Sequence, residues 1–169
     1  MTNAETGVYH VVSGTGQLSV GDAEFEVAPG SAFFVRGEVE HRFHSLTSDL
    51  DAVVVFKRLP PVPSDPEVVA FAIEDMVAAR NSEENVITPL FDTSTMSLGM
   101  YMLPKGGSDD ILTHDFDEFK IVVNGGGRFD LGSGGFEAGP GSIVFIEDRV
   151  PHQFRRISDD IDLLVIWGR

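Results

Sequence analysis

The sequence predicts an all-β chain in which one antiparallel β-barrel or sandwich is present in two copies, with a single helix between them. Two observations predict this class. Short apolar segments alternate with glycine-containing turns throughout both halves of the chain, and whole segments recur at a fixed spacing. A proline-rich segment between the recurring halves separates the two copies.

The recurrence has the same offset wherever it can be measured. Val11–Gly16 recurs as Val122–Gly127, and Pro29–Phe43 recurs as Pro140–Phe154, so both pairs are 111 residues apart (122 − 11 = 140 − 29 = 111). No gap is needed, which indicates two copies of one supersecondary unit.

Each copy predicts six short strands bounded by turn residues. In the first copy they are Val8–Ser13, Gln17–Val20, Ala23–Val27, Ala32–Val35, His41–Leu46 and Asp51–Phe56. In the second copy they are Glu118–Asn124, Arg128–Leu131, Gly135–Ala138, Ile143–Ile146, His152–Ile157 and Asp162–Trp167. Short strands at this spacing are typical of an antiparallel barrel or sandwich. The triple glycine 125–127 is read as a hairpin turn, because no helix follows it.

Three segments divide the chain. Residues 1–58 form an incomplete N-terminal barrel, residues 59–82 a linker and helix, and residues 83–169 a C-terminal barrel. The linker contains three prolines in four residues, which cannot lie inside a sheet. The helix is predicted over Pro66–Arg80, with Asp65 as its N-cap.

The first copy lacks counterparts of the two strands that precede the second copy. Val86–Leu90 and Met96–Leu103 read as two strands ahead of the second copy, and nothing comparable precedes the first. An open sheet edge promotes aggregation. We therefore expect the Val86–Leu103 region, a partner subunit or both to cover the first barrel, and a homodimer is the default closed assembly.

Composition excludes several classes of partner. The formal net charge of −15 argues against nucleic acid and anionic membranes. Cysteine is absent, which excludes disulfides, thiolate metal sites and cysteine nucleophiles. The start of the sequence has no secretory leader pattern, and no apolar run approaches the roughly 20 residues that span a bilayer. These features predict a cytoplasmic location.

Ligand-type side chains are concentrated in the second copy. If the strand there extends back far enough, His114, Glu118 and Lys120 share one face, because alternate strand residues point the same way. His152 opens a later strand, directly after Pro151, and is expected to point into the same interior. Two imidazoles and one carboxylate can hold a metal ion and leave positions open for a substrate or oxygen.

At these residues the chain resembles a two-domain member of the cupin superfamily. The first cupin motif is glycine, five residues, histidine, one residue, histidine, three residues, glutamate, six residues, glycine. Gly106, His114, Glu118 and Gly125 match it, whereas Leu112 replaces the first histidine.

The second motif matches less completely. Gly141 and His152 fit, but Glu147, Arg149 and Arg156 replace its proline, glycine and asparagine. The resemblance covers both halves of the chain, apart from the linker and helix.

The resemblance implies a duplicated jelly-roll barrel with a divalent metal, which could be iron, manganese, nickel, copper or zinc. Carried over by position, the metal ligands are His114, Glu118 and His152. Leu112 cannot coordinate, so water, substrate or a nearby carboxylate such as Asp110 would complete the set.

Lys120 has two interpretations. It pairs with Glu118 and competes with metal, or it binds an anionic group of a substrate, with help from Arg128 or Arg156. His41 is the counterpart of His152 in a copy without ligand partners, so we interpret it as a structural residue.

Three functions are consistent with these residues. The first is a metal-dependent enzyme of the dioxygenase, isomerase, decarboxylase or lyase type, with Lys120 orienting a small organic substrate. The second is a non-catalytic module that binds a small ligand. The third is a structural cupin in which Lys120 neutralises Glu118 and no metal binds. Fold analogy does not identify a reaction.

Overall fold

A computed structural model describes residues 3–58, 60–78 and 86–168. The chain divides into two compact units, Met1–Ala78 and Ala79–Arg169. Both units consist of antiparallel strands, and the described residues contain one short helix, so the predicted all-β class is confirmed. No helix in these ranges is long and apolar enough to cross a membrane.

The first unit contains two antiparallel sheets and the helix. Its elements are β1 (Thr6–Ser13), β2 (Gly16–Val20), β3 (Ala23–Val27), β4 (Ser31–Val35), β5 (His41–His44), β6 (Asp51–Lys57), β7 (Val68–Ala72) and α1 (Ile73–Ala78). One sheet has the order β6-β1-β4-β7 and the other the order β3-β2-β5. The alternating apolar residues of β1, β2 and β4 form the buried core, which contains Tyr9, Val11, Leu18, Val20, Phe33 and Val35.

The helix predicted over Pro66–Arg80 is wrong over most of its described length. Val68–Ala72 is strand β7, which pairs with β4 in the register Val35↔Val68 to Ser31↔Ala72, and only Ile73–Ala78 is helical. A short apolar run fits either period, and here pairing with a sheet edge determines the outcome. The sheet of the first unit is thus extended by β7.

The second unit places the remaining strands around two long ones. They are β8 (Val86–Asp92), β9 (Met96–Leu103), β10 (Asp117–Leu131), β11 (Gly134–Ala138), β12 (Ile143–Ile146) and β13 (His152–Gly168). The order is β11-β10-β13-β9-β8, and β12 also pairs with β10. The core lies on the inner faces of β9, β10 and β13 and includes Tyr101, Val122, Phe129, Phe154, Leu163 and Val165.

The strands Met96–Leu103 and Val86–Asp92 belong to this second sheet, where β9 pairs with β13. Strand β6, which corresponds in sequence to the end of β13, pairs only with β1 among the described residues. The first unit therefore has no counterpart of β9 beside β6 in the described part of the chain.

Glycine is required where paired strands approach most closely. The hairpin turn predicted at residues 125–127 is wrong, because these residues lie within β10, where the pairing with β13 shifts register. Gly125 has φ +73°, and a Cβ atom on it would lie 2.0 Å from the Asp160 carbonyl oxygen. Gly14, which is 111 residues earlier, has φ +90°, and its Cβ would lie 2.3 Å from the Asp49 carbonyl oxygen. Any side chain at either position would clash with backbone, so both units depend on the same close approach.

Candidate metal centre

Strand pairing places Glu118 and Lys120 in the interior of the second unit. Glu118 lies opposite Ile146 of β12 and Trp167 of β13, so it is flanked by a strand on each side. Glu118 is 2% exposed and Lys120, two residues along the same face, is 1% exposed. Burial of two ionisable groups this deep is costly unless each has a partner.

His152 is fixed by its own backbone environment. Its main chain bridges to Leu112 through two hydrogen bonds of 2.9 and 3.0 Å, and its Nδ1 lies 3.0 Å from the Val150 carbonyl oxygen. A carbonyl can only accept, so Nδ1 carries the proton and donates. A ring that carries its only proton on Nδ1 presents the lone pair of Nε2 to the interior.

His114 reaches the site from outside the strand. We expect it to share a strand face with Glu118 if the strand extends back that far, but β10 begins at Asp117 and His114 lies in the preceding segment. Its carbonyl accepts the Arg149 N–H at 2.6 Å, and its ring stacks on Phe116 with 5.1 Å between ring centroids. Arg149 has φ +60°, the left-handed conformation that favours the glycine of the second motif, so the turn shape persists despite the replacement.

The three predicted ligands converge. His152 Nε2 lies 3.2 Å and His114 Nε2 lies 3.8 Å from the same oxygen, Glu118 Oε2. One ligand atom from each residue falls within 4.8 Å of the other two. A small cation between them would be reached by two imidazoles and one carboxylate with little movement.

Two buried atoms in this cluster lack a hydrogen-bond partner. Glu118 Oε1 accepts the Trp167 indole N–H at 2.9 Å, whereas Glu118 Oε2 and His152 Nε2 have no such partner among the described residues. Both atoms are acceptors when the imidazole is neutral, and each unsatisfied buried group costs about 1–3 kcal/mol. Either a proton on His152 Nε2 or a bound cation would satisfy both, so the donor set fits a divalent metal.

The protonation states of Glu118 and His114 also favour metal ligation. Burial raises the pKa of the Glu118 carboxyl, but the nearby His152 ring and the positive charge of Lys120 outweigh burial, and the net pKa is lowered. Burial lowers the pKa of His114, and the opposing charge of Glu118 does not reverse this. Glu118 is thus held as a carboxylate and His114 as a neutral imidazole, which are the forms that bind metals.

Lys120 contacts the same oxygen as the histidines. Its Nζ lies 3.6 Å from Glu118 Oε2 and 5.5 Å from the centroid of the Tyr101 ring. Burial lowers the pKa of Lys120, although Glu118 and Asp109 oppose the change. The contact does not draw Glu118 away from His114 or His152.

The predicted auxiliary residues lie elsewhere. Asp110 is exposed, and it is the neighbouring Asp109 that is buried. Arg128 forms an ion pair at 3.2 Å with Asp130. These two residues flank one that faces the core, so they lie on the opposite face of the strand. Arg156 is exposed and has φ +50°.

Sequence reasoning missed three residues of the site, which are Tyr101, Asp109 and Trp167. Tyr101 donates to Asp109 Oδ1 at 2.5 Å, and Trp167 donates to Glu118. Tyr101 and Trp167 come from β9 and β13, so only strand pairing reveals their position. The tryptophan in the last strand was the one available signal for a partner of Glu118, because a buried indole N–H needs an acceptor.

The corresponding positions of the first unit form a closed hydrogen-bonded set. Tyr9, 111 residues before Lys120, bonds through its hydroxyl to His41 Nε2 at 2.8 Å, and Asn3 Nδ2 donates to the same hydroxyl at 3.2 Å. His41 Nδ1 lies 2.9 Å from the Val39 carbonyl oxygen. Gly7 stands where the second unit has Glu118, so no carboxylate is present at that position.

Comparison with known proteins supports the fold. The family model described as the cupin domain matches residues 3–56 and 99–168. An uncharacterized protein of Streptomyces coelicolor is 30% identical over 99 residues, which are 59% of this chain and 94% of that protein.

Solved structures share the fold at low identity. A cupin 2 conserved barrel domain protein from Leptotrichia buccalis has a TM-score of 0.79 at 14% identity, covering 99% of this chain and 76% of that chain. A salicylate 1,2-dioxygenase from Pseudoaminobacter salicylatoxidans has a TM-score of 0.79 at 11% identity, covering 98% of this chain and 64% of that chain. At these identities the likeness shows the fold alone.

Proposed function

The chain belongs to the cupin family, and we propose that its second unit binds one divalent metal ion through His114, Glu118 and His152. The observation that carries the proposal is the facing pair of unsatisfied acceptors, Glu118 Oε2 and His152 Nε2, at 3.2 Å. A metal satisfies both atoms and leaves the Trp167 and Val150 hydrogen bonds intact.

With metal bound, we propose that the protein acts on a small anionic organic molecule. A divalent ion supplies Lewis acidity and, for redox-active metals, oxygen chemistry. His152 and Glu118 hold their orientations through bonds to Val150 and Trp167. Lys120 supplies a positive charge beside the ligands, which orients an anionic group of the substrate.

The reaction class is an oxygenation, isomerisation or lyase reaction. A salicylate 1,2-dioxygenase is among the proteins of similar fold, which makes hydroxylated aromatic acids reasonable first substrates to screen. The residues themselves favour a small acid, since Lys120 is the one cation found at the cluster within the described ranges.

Elemental analysis tests the metal. Purified wild-type protein should contain about one equivalent of iron, manganese, nickel, copper or zinc, and His114→Ala, Glu118→Ala and His152→Ala should lose it. His41→Ala is the matched control, because His41 makes the same carbonyl bond in the first unit, where Gly7 stands in place of the carboxylate, and the variant should keep the metal. Absence of metal in the wild type after reconstitution with each ion would exclude the proposal.

A structural cupin is the second candidate, and the 3.6 Å contact between Lys120 and Glu118 favours it. In that case a protonated His152 and Lys120 share the Glu118 carboxylate and no metal is needed. The same metal analysis separates the two functions.

A further inference from the structure

A third unsatisfied acceptor belongs to Asp109, which is close enough to the proposed metal centre for its charge to act on His114 and Lys120. Asp109 is 5% exposed, and its Oδ1 accepts the Tyr101 hydroxyl at 2.5 Å, while Oδ2 has no hydrogen-bond partner in the described part of the chain. Its backbone N–H is fixed to the Phe154 carbonyl at 3.1 Å. The carboxylate is therefore held in place with one free oxygen.

Tyr101 links this carboxylate to Lys120. The Lys120 ammonium lies over the Tyr101 ring, and the hydroxyl of that ring bonds to Asp109. A hydrogen-bond acceptor, Asp109, and a cationic donor, Lys120, thus both contact Tyr101, and the Lys120 Nζ lies 3.6 Å from Glu118 Oε2.

The charges of this group define the ligand. With Glu118 and Asp109 counted as carboxylates and Lys120 as an ammonium, a divalent metal brings the sum of charges to +1 (2 + 1 − 2). A monoanion neutralises it. The free oxygen of Asp109 additionally requires a ligand group that donates a hydrogen bond, such as a hydroxyl.

We propose that Asp109 and Lys120 form a ligand subsite that selects hydroxylated carboxylic acids over the same acids without the hydroxyl. The proposal rests on metal binding by the second unit. Lys120 takes the carboxylate charge, and Asp109 Oδ2 accepts the hydroxyl proton in a charge-assisted bond. Because buried acceptors left unpaired are penalised, the site discriminates against the deoxy acid.

Calorimetric titration of the Zn²⁺-loaded protein tests this with two matched pairs, lactate with propionate and salicylate with benzoate. A hydroxyl can also chelate zinc, so the decisive quantity is how the preference changes between variants. Asp109→Asn, which keeps an oxygen for Tyr101 but removes the charged acceptor, should lower the hydroxy-acid preference by about tenfold or more. Asp110→Asn, one residue away and exposed, is the control and should leave it unchanged.

Two further variants make the test independent of one substitution. Asp109→Ala should lose the preference as Asp109→Asn does. Lys120→Met should weaken both acids of a pair by a similar factor and leave their ratio unchanged. Zinc content is measured for every variant.

The outcomes are distinguishable. Wild-type protein that takes up no zinc removes the proposed function. Zinc-loaded protein that binds none of the four acids, or an Asp109 variant whose preference equals that of Asp110→Asn, overturns the subsite and leaves metal binding standing.

Discussion

Replacing the buried charges Glu118 and Lys120 together should stabilise the metal-free protein. In Glu118→Gln/Lys120→Met, the glutamine oxygen can still accept the Trp167 indole N–H, which is 2.9 Å from Glu118 Oε1. The amide nitrogen then takes the place of Oε2, 3.2 Å from His152 Nε2, and donates to it. Methionine has nearly the length of lysine and no charge, so Tyr101 keeps an apolar contact.

The magnitude follows from the two unsatisfied atoms. Each costs about 1–3 kcal/mol, and replacing a buried ion pair by uncharged groups is often neutral or stabilising by about 1–4 kcal/mol. We expect the free energy of unfolding of the metal-free double variant to rise by about 1–4 kcal/mol. Glu118→Gln alone should lower it by roughly 3–5 kcal/mol, because Lys120 is left buried beside a neutral group.

Urea unfolding in the presence of a chelator measures these differences, and repetition with Zn²⁺ measures the gain from metal. Wild type should gain about 2.7 kcal/mol at a zinc concentration one hundred times Kd, and the double variant should gain nothing. Lys105→Met/Asp159→Asn is the control, because that pair is exposed and its loss should change stability by no more than about 0.5 kcal/mol. A metal-free double variant less stable than wild type would refute the reasoning, since the cluster would then be a stabilising network and not a strained site.

Two other predictions concern pH and the first unit. Because burial lowers the pKa of His114, the folded protein binds a proton there less readily than the unfolded chain, whose histidine pKa is about 6.5. The contribution of His114 to stability is therefore complete above that value and is lost as pH falls through the lowered pKa. Zinc content, measured after dialysis at pH values between 7 and 4, should decline only below about pH 6.5. Loss of half of the zinc above about pH 6.5 would contradict the assignment of His114 as a ligand. Tyr9→Phe removes the hydroxyl that bonds to His41 and Asn3, so the free energy of unfolding measured with heat or urea should fall by about 1–3 kcal/mol. The zinc content should not change. Unaltered stability would show that these bonds contribute nothing.

Local sequence signals explain what could be predicted. The fixed offset indicated two β units, because steric requirements at Gly14 and Gly125 are met by glycine alone. Residues 125–127 themselves bulge within β10 and do not form the expected hairpin turn. His114, Glu118 and His152 were found because a short spacing and a strand start place them near one interior.

The errors came from contacts made over long distances in the sequence. Val68–Ala72 carries an apolar pattern that suits a helix, and only its pairing with β4 makes it a strand. Likewise, Asp109 was overlooked in favour of Asp110, because no pattern within the segment shows which of two adjacent carboxylates turns toward Tyr101.

The bond from a histidine to the carbonyl two residues earlier is the same in both units, at 2.9 Å for His41 and 3.0 Å for His152. The backbone therefore aims the imidazole whether or not a ligand set surrounds it. Around this imidazole the two units differ in side chains at a few inward positions, such as Gly7 against Glu118. Because the imidazole is already oriented in both units, the mutational distance between a unit without the three-residue cluster and a unit that carries it is short.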